Sequence, residues 1–259
     1  MWFGFAAYFD HPLHEDESRR TCLMDLLLDS RWPKPLRRAT LTPRDLAKKE
    51  RRQRIDRDSL IRDITAPDLS TATFRAGGAD VPVYAHFDTG QRRLKRYAVG
   101  YEILLMAEEG ASSQASNAWI DLALEVARAL AAVHGTFGVF DNADVALSDI
   151  TGIHTFLNDQ ELHPRPKEIS QTEYWRPELG DQYVRHPRWG TLLARRHVDA
   201  IGGRETITRE VSPAAIRDVG DATLFIQLTP VEDALSPVAE EKRQALARLM
   251  QPILVPEID

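Results

Sequence analysis

The sequence predicts an α+β protein in which mixed or antiparallel strand meanders pack against helices in a single compact domain, residues 1–259. One observation supports the α+β class, and a second supports a globular chain. Strands are predicted in runs separated by helices, without the regular strand–helix alternation of a parallel sheet. The 259 residues are 43% hydrophobic and 28% charged, which is ordinary for a globular chain that can bury a large core.

The N-terminal part predicts a strand followed by a helix. Aromatic and small apolar residues fill 2–9, which predicts a first, central strand. Residues 15–28 predict a helix whose apolar face includes Cys22, Leu23, Leu26 and Leu27. We expect Cys22 to be buried there as a small hydrophobe rather than to act as a reactive thiol. As the only cysteine it cannot form an internal disulfide, which fits a reducing compartment.

A basic segment at about 42–64 predicts a solvated, partly helical excursion. Thr42 is a favourable N-cap and Pro43 a favourable first helical residue. Residues 44–62 carry eight basic and four acidic side chains. A nucleic-acid contact is the functional alternative. The interleaved acids and the absence of aromatic residues favour an ordinary solvated face.

The middle of the chain predicts three strands and then the clearest helix. The strands are expected at 71–75, 81–87 and 96–106, with glycine-containing turns between them. Apolar residues at helical spacing predict a helix over 117–134, with Gly135 as its stop. A further strand is expected at 137–140.

The C-terminal part predicts a short helix over 192–201 that Gly202 and Gly203 close. A hairpin is expected from 214–219 and 222–228. Ser236 and Pro237 predict the start of a last helix that runs through Met250. Residues 253–255 predict a short final strand.

Charge is divided unequally along the chain. The net charge is −6, but residues 1–100 hold 19 Lys+Arg against 14 Asp+Glu, while the remainder holds 14 against 25. This disfavours a uniformly basic nucleic-acid binder and favours an acidic face for a cationic partner. The apolar N-terminus has no basic region before it, and no stretch is long enough to span a membrane. We therefore expect a cytoplasmic protein that contacts neither membrane nor nucleic acid.

No catalytic residue, metal site or cofactor is predicted. Asp88-Thr89-Gly90 matches the signature of aspartic proteases, but the chain has one copy, and the same residues are common in turns. His11 and His14 lack a third ligand at suitable spacing. The sequence also has no phosphate-binding glycine loop and no Gly-x-Ser-x-Gly nucleophile motif.

Several blocks of the second half resemble a known family. One block contains Gly202-Gly203 between a helix and a short amphipathic turn, and others include an apolar strand after a glycine turn and a closing helix with Pro252. The blocks are residues 133–138, 189–193, 197–207, 218–228 and 246–253. Together they resemble the type VI secretion immunity family, formerly a family of unknown function. The resemblance covers most of 115–255, while residues 1–100 agree only in layout.

The resemblance implies a neutralising protein rather than an enzyme. Such a protein stays in the cytoplasm of the producing cell and binds a cognate effector toxin, blocking its active site. Many such toxins carry basic clefts for nucleic acids or nucleotides, and an acidic face would complement one.

The expected contact surface is an irregular, acidic and aromatic segment. Long irregular segments in compact domains are often functional, and aromatic residues often anchor interfaces. For Trp175 and Tyr183, capping of the core is an equally good interpretation. The predicted toxin-binding residues are Asp159, Glu161, Glu168, Glu173, Tyr174, Trp175, Glu178, Asp181 and Tyr183.

Two other functions stay open. The chain could be an enzyme, either through Asp88 or by reversing its toxin's modification. It could also be an adaptor or chaperone that holds an effector until the secretion apparatus is loaded.

Overall fold

The computed structural model describes residues 2–9, 16–32, 35–43, 48–64, 69–76, 84–88, 101–108, 113–141, 184 and 186–254. Within these ranges, ten strands form one sheet, and the helices pack on its two faces. The fold is α+β, as the sequence predicted. The strands are β1 Trp2–Phe9, β2 Leu36–Pro43, β3 Arg51–Arg54, β4 Leu69–Ala76, β5 Tyr84–Asp88, β6 Tyr101–Glu108, β7 His134–Phe140, β8 Gly190–Ala194, β9 Ala215–Val219 and β10 Thr223–Gln227. The α-helices are α1 Glu17–Leu27, α2 Arg57–Ile64, α3 Ser113–Ala129, α4 Arg195–Ala200, α5 Gly203–Val211 and α6 Pro237–Met250.

The sheet order is β3-β2-β4-β5-β6-β1-β7-β8-β10-β9, and every adjacent pair is antiparallel. Strand β1 pairs with β6 on one side and with β7 on the other, with Tyr8 opposite His134 in the second pair. The predicted central position of the first strand is therefore confirmed. Strands β3 and β9 form the two ends of the sheet.

Two hydrophobic cores lie on opposite faces of this sheet. The first packs Phe3 and Phe5 of β1 against Trp119 of α3, with ring centroids of Phe3 and Trp119 5.2 Å apart. The second packs Leu193 of β8 and Ile226 of β10 beneath α4, α5 and α6. Because successive side chains of a strand point to opposite faces, β8 and β10 contribute to both cores.

The C-terminal hairpin and helix agree with their predictions. Strands β9 and β10 pair from Val219 opposite Thr223 onward. Helix α6 begins at Pro237, and the hydroxyl of Ser236 accepts a hydrogen bond from the backbone N–H of Ala239 at 3.2 Å. At the last described residue, Leu254 forms a single parallel bridge with Val184 rather than a strand.

Two predicted helices are partly wrong, because some of their residues form strands. Thr42 and Pro43 end strand β2 instead of starting a helix, because β2 pairs with both β3 and β4. The helix of the basic segment is α2, which starts at Arg57, where the Asp56 carboxylate accepts from the N–H of Ser59 at 3.0 Å. Within the predicted helix 192–201, only Arg195–Ala200 is helical, since the preceding residues belong to β8.

Two further predictions are corrected at single residues. Helix α3 ends at Ala129, and the chain turns at Ala131, whose φ of 48° lies in the left-handed region. Gly135, predicted as the helix stop, is a buried residue of β7. Cys22, predicted to be buried, is exposed, because Leu23, Met24, Leu26 and Leu27 already supply the buried face of α1.

Candidate interaction surface

Three arginines line up across the strands at one end of the sheet. In the register of β2 and β3, Arg38 lies opposite Arg54, and in that of β2 and β4 it lies opposite Arg75. Residues Arg54, Arg38 and Arg75 therefore form a continuous row across three neighbouring strands, named here the arginine row.

The arginine row lies on the face of the sheet opposite the first core. Ala39 and Phe74, adjacent in sequence to row members, are buried in that core, so strand alternation directs Arg38 and Arg75 to the other face. On β3, Gln53 donates to the Asp63 carboxylate of α2, on the core side, at 3.0 Å. Arg54 therefore projects away from α2, and all three row members are exposed.

The row lacks the counter-charges that several other cations of this region have among the described residues. Nearby, Arg51 lies 3.5 Å from Asp63, and Arg57 lies 2.6 Å from Asp25. In the described part of the chain, no carboxylate lies within ion-pair distance of a row member. Like charges directly opposite each other on paired strands are destabilising. The row therefore lowers the stability of the fold, and no ion pair among the described residues offsets this repulsion.

A β-bulge at the start of β2 extends the basic surface into a groove. The register of β2 with β4 shifts between Leu36 and Arg38, which leaves the neighbours Arg37 and Arg38 both exposed. The N–H of Ile55 donates to the carbonyl of Arg37 at 3.1 Å and continues the pairing beyond β3. The adjoining groove has a volume of about 700 Å³, and its lining combines the arginines with apolar side chains. The groove is lined by Leu28, Leu36, Arg37, Arg38, Arg54, Ile55 and Arg57.

The predicted toxin-binding residues stay predictions. Asp159, Glu161, Glu168, Glu173, Tyr174, Trp175, Glu178, Asp181 and Tyr183 all lie outside the described residues. His11 and His14 do so as well.

The structure describes only some of the residues considered for catalysis or metal binding. Asp88 ends strand β5, opposite Thr71 of β4 and Glu102 of β6, while Thr89 and Gly90 lie outside the described residues. Across the described ranges, no group of three His, Cys, Asp or Glu side chains is arranged to hold a metal ion. None of the helices described is both long and apolar enough to cross a membrane.

Among the described residues, the carboxylates with shifted pKa values belong to ion pairs and caps. Hydrogen bonds from Arg31 lower the pKa of Asp29 and of Glu125. A hydrogen bond from Ser59 lowers the pKa of Asp56, and one from Arg243 lowers that of Glu240. Each shift stabilises the charged form, as in a structural pair, and not the protonated form that a general acid needs near neutral pH.

The fold and this surface define an α+β protein with an uncovered basic strip at one end of an antiparallel sheet. No protein-family profile and no curated protein matches the sequence. Among solved structures, the chain is similar to one described as "Pseudomonas aeruginosa T6SS protein PA0821", where T6SS is the type VI secretion system. The two share 13% sequence identity with a TM-score of 0.58, over 97% of this chain and 76% of the other. At this identity the likeness establishes a common fold.

Proposed function

We propose that this chain is a type VI secretion protein that binds a cognate antibacterial toxin and neutralises it in the producing cell. The observation that carries the proposal is the fold shared with the Pseudomonas aeruginosa T6SS protein, which extends over 97% of this chain. The sequence blocks that resemble immunity proteins support the same assignment independently of that comparison.

The resembling blocks correspond to packing elements of the C-terminal half. In the block 189–193, the indole N–H of Trp189 donates to the carbonyl and the hydroxyl of Thr229, both at 3.1 Å. In the block 246–253, Leu246 and Met250 are fully buried against the second core. These residues build a scaffold, so the proposed activity is binding by a surface that the scaffold carries.

For the toxin contact, the acidic segment 158–183 is our proposed surface. The second part of the chain carries the excess of acidic residues, and an acidic surface accelerates encounter with a basic cleft. Reversing the charge of Glu173 and Glu178 should slow toxin association at low salt. An unchanged association rate would remove the steering role from this segment.

Co-expression with the toxic domain encoded beside this chain tests the function itself. Survival of the host together with a stable co-purified complex is the expected result, because neutralisation by binding needs both. A complex without survival would favour the adaptor. Survival without a complex would favour an enzyme, and an Asp88→Asn variant would then show whether protection depends on that carboxylate.

A further inference from the structure

We propose that the arginine row and its adjoining groove form a docking surface for an acidic, helical surface of a protein partner. This goes beyond neutralisation of a toxin, because a neutraliser and an adaptor could both use such a surface.

The first argument is the energetic cost of the row. Arg38 lies opposite Arg54 on one side and opposite Arg75 on the other, and each pairing places like charges directly across neighbouring strands. The same region neutralises Arg51 and Arg57 with carboxylates at 3.5 Å and 2.6 Å. A bound set of carboxylates would remove the repulsion in the row, so a partner could supply the counter-charges that the described residues do not provide.

The second argument is the match of spacing and chemistry. Neighbouring strands lie about 4.8 Å apart, so the row presents three guanidinium groups over roughly 10 Å. Carboxylates three or four residues apart on one helix face lie about 5–6 Å apart, which is close to that spacing. Guanidinium groups bind carboxylates through paired N–H donors, which gives the contact geometric specificity.

The third argument concerns the groove, which adjoins the row at Arg38 and Arg54. Its apolar residues belong to the first core or pack against it, whereas Arg37 adds a further exposed cation beside the row. A helix that carries several carboxylates on one face could therefore contact the row and Arg37 together.

A nucleic acid fits this surface less well. Single-stranded nucleic acids are bound by stacking on aromatic side chains, and the side chains described on this face of β2, β3 and β4 are arginines and threonines. The whole chain also has a net charge of −6, which opposes the approach of a polyanion.

The test compares a row variant, Arg38→Gln, Arg54→Gln and Arg75→Gln, with a control variant, Arg195→Gln, Arg209→Gln and Arg248→Gln. The control removes the same charge from exposed positions on α4, α5 and α6. The probe is a fluorescent alanine-based helical peptide with glutamate at every fourth position and leucine beside each glutamate. The same peptide with glutamine in place of glutamate, and a short single-stranded oligothymidylate, serve as comparison ligands.

Fluorescence anisotropy at low salt should show that the wild-type protein and the control variant bind the glutamate peptide. The row variant should bind the glutamate peptide at least about tenfold more weakly than the wild-type protein does. The wild-type protein should bind the glutamine peptide more weakly by a similar factor. Equal binding by the row variant, no binding of the glutamate peptide, or tighter binding of the oligothymidylate would each overturn the proposal.

Stability supplies a second readout that separates a docking role from a structural one. Removal of mutual repulsion should leave the urea midpoint of the row variant at or above that of the wild-type protein. A lower midpoint for the row variant than for the control would assign the arginines to the fold and refute the docking surface. Neither measurement involves the toxin, so its outcome is independent of the co-expression test.

Discussion

At the scale of single residues, position in the sheet determines what each arginine does. Arg57 lies in the basic segment, and Arg38 lies just before it. Arg57 pairs with Asp25, whereas Arg38 lies opposite two other arginines. The sequence shows the abundance of positive charge around 42–64. It does not show that Arg75, a distant residue on β4, completes the row.

Gly190 is a position where even the smallest substitution should destabilise the protein. A Cβ atom at this position would lie 2.7 Å from the Cβ of Phe137 and 2.7 Å from the ring of Phe225. All three residues are buried, so neither ring can move into solvent. Gly190→Ala should lower the free energy of unfolding by about 1–3 kcal/mol, as measured by urea denaturation. An unchanged midpoint would contradict the close packing of β8 against these rings.

At the scale of elements, one guanidinium group joins α1 to α3. Arg31 follows α1 and donates to both carboxylate oxygens of Glu125 on α3, at 2.8 and 2.7 Å. It also donates to both carboxylate oxygens of Asp29, at 3.0 and 2.9 Å. The two helices lie side by side on the first core, and this cluster fixes their contact at its edge.

Replacing Arg31 by Gln should destabilise the protein in a pH-dependent manner. The side chains are partly exposed, so we expect a loss of about 1 kcal/mol at neutral pH. Arg31 lowers the pKa values of Asp29 and Glu125 in the folded state, so its contribution is fully present above their unfolded values, about 4. That contribution is lost as the pH falls through the lowered folded values.

Urea denaturation across the acidic range tests this pH dependence. The difference between the wild-type protein and Arg31→Gln should be constant near neutral pH and should shrink below roughly pH 4. Arg209→Gln, which removes an exposed pair with Glu210, is the control and should show little difference at any pH. If the difference in unfolding free energy between the wild-type protein and Arg31→Gln did not shrink in acid, packing and not charge would be the source of the effect.

At the scale of the whole molecule, the sheet has a protected centre and exposed ends. Strands β1 and β7 are paired on both sides, and Phe5 and Phe137 are fully buried with ring centroids 4.5 Å apart. The end strand β3 has four residues, of which three are arginines. Short and charged end strands are a common protection against pairing with other chains.

Hydrogen–deuterium exchange should follow this arrangement. The amides of β1 and β7 should exchange most slowly, because their hydrogen bonds break only when the central strand pairing and the first core are lost. The amides of β3 and β9 should exchange fastest among the strands. Protection of β3 as strong as that of β1 would indicate that another surface covers this end of the sheet.

The sequence by itself determined the class of fold and the elements whose signals are local. Strand β1, the hairpin of β9 and β10, and helix α6 with its Ser236 cap were predicted because alternation, turn residues and caps act within a few positions. Only the tertiary structure decided that Pro43 ends a strand, that Cys22 is exposed, and that Arg54, Arg38 and Arg75 form one row. These features depend on pairing and packing between segments far apart in the chain, and local patterns do not encode strand register.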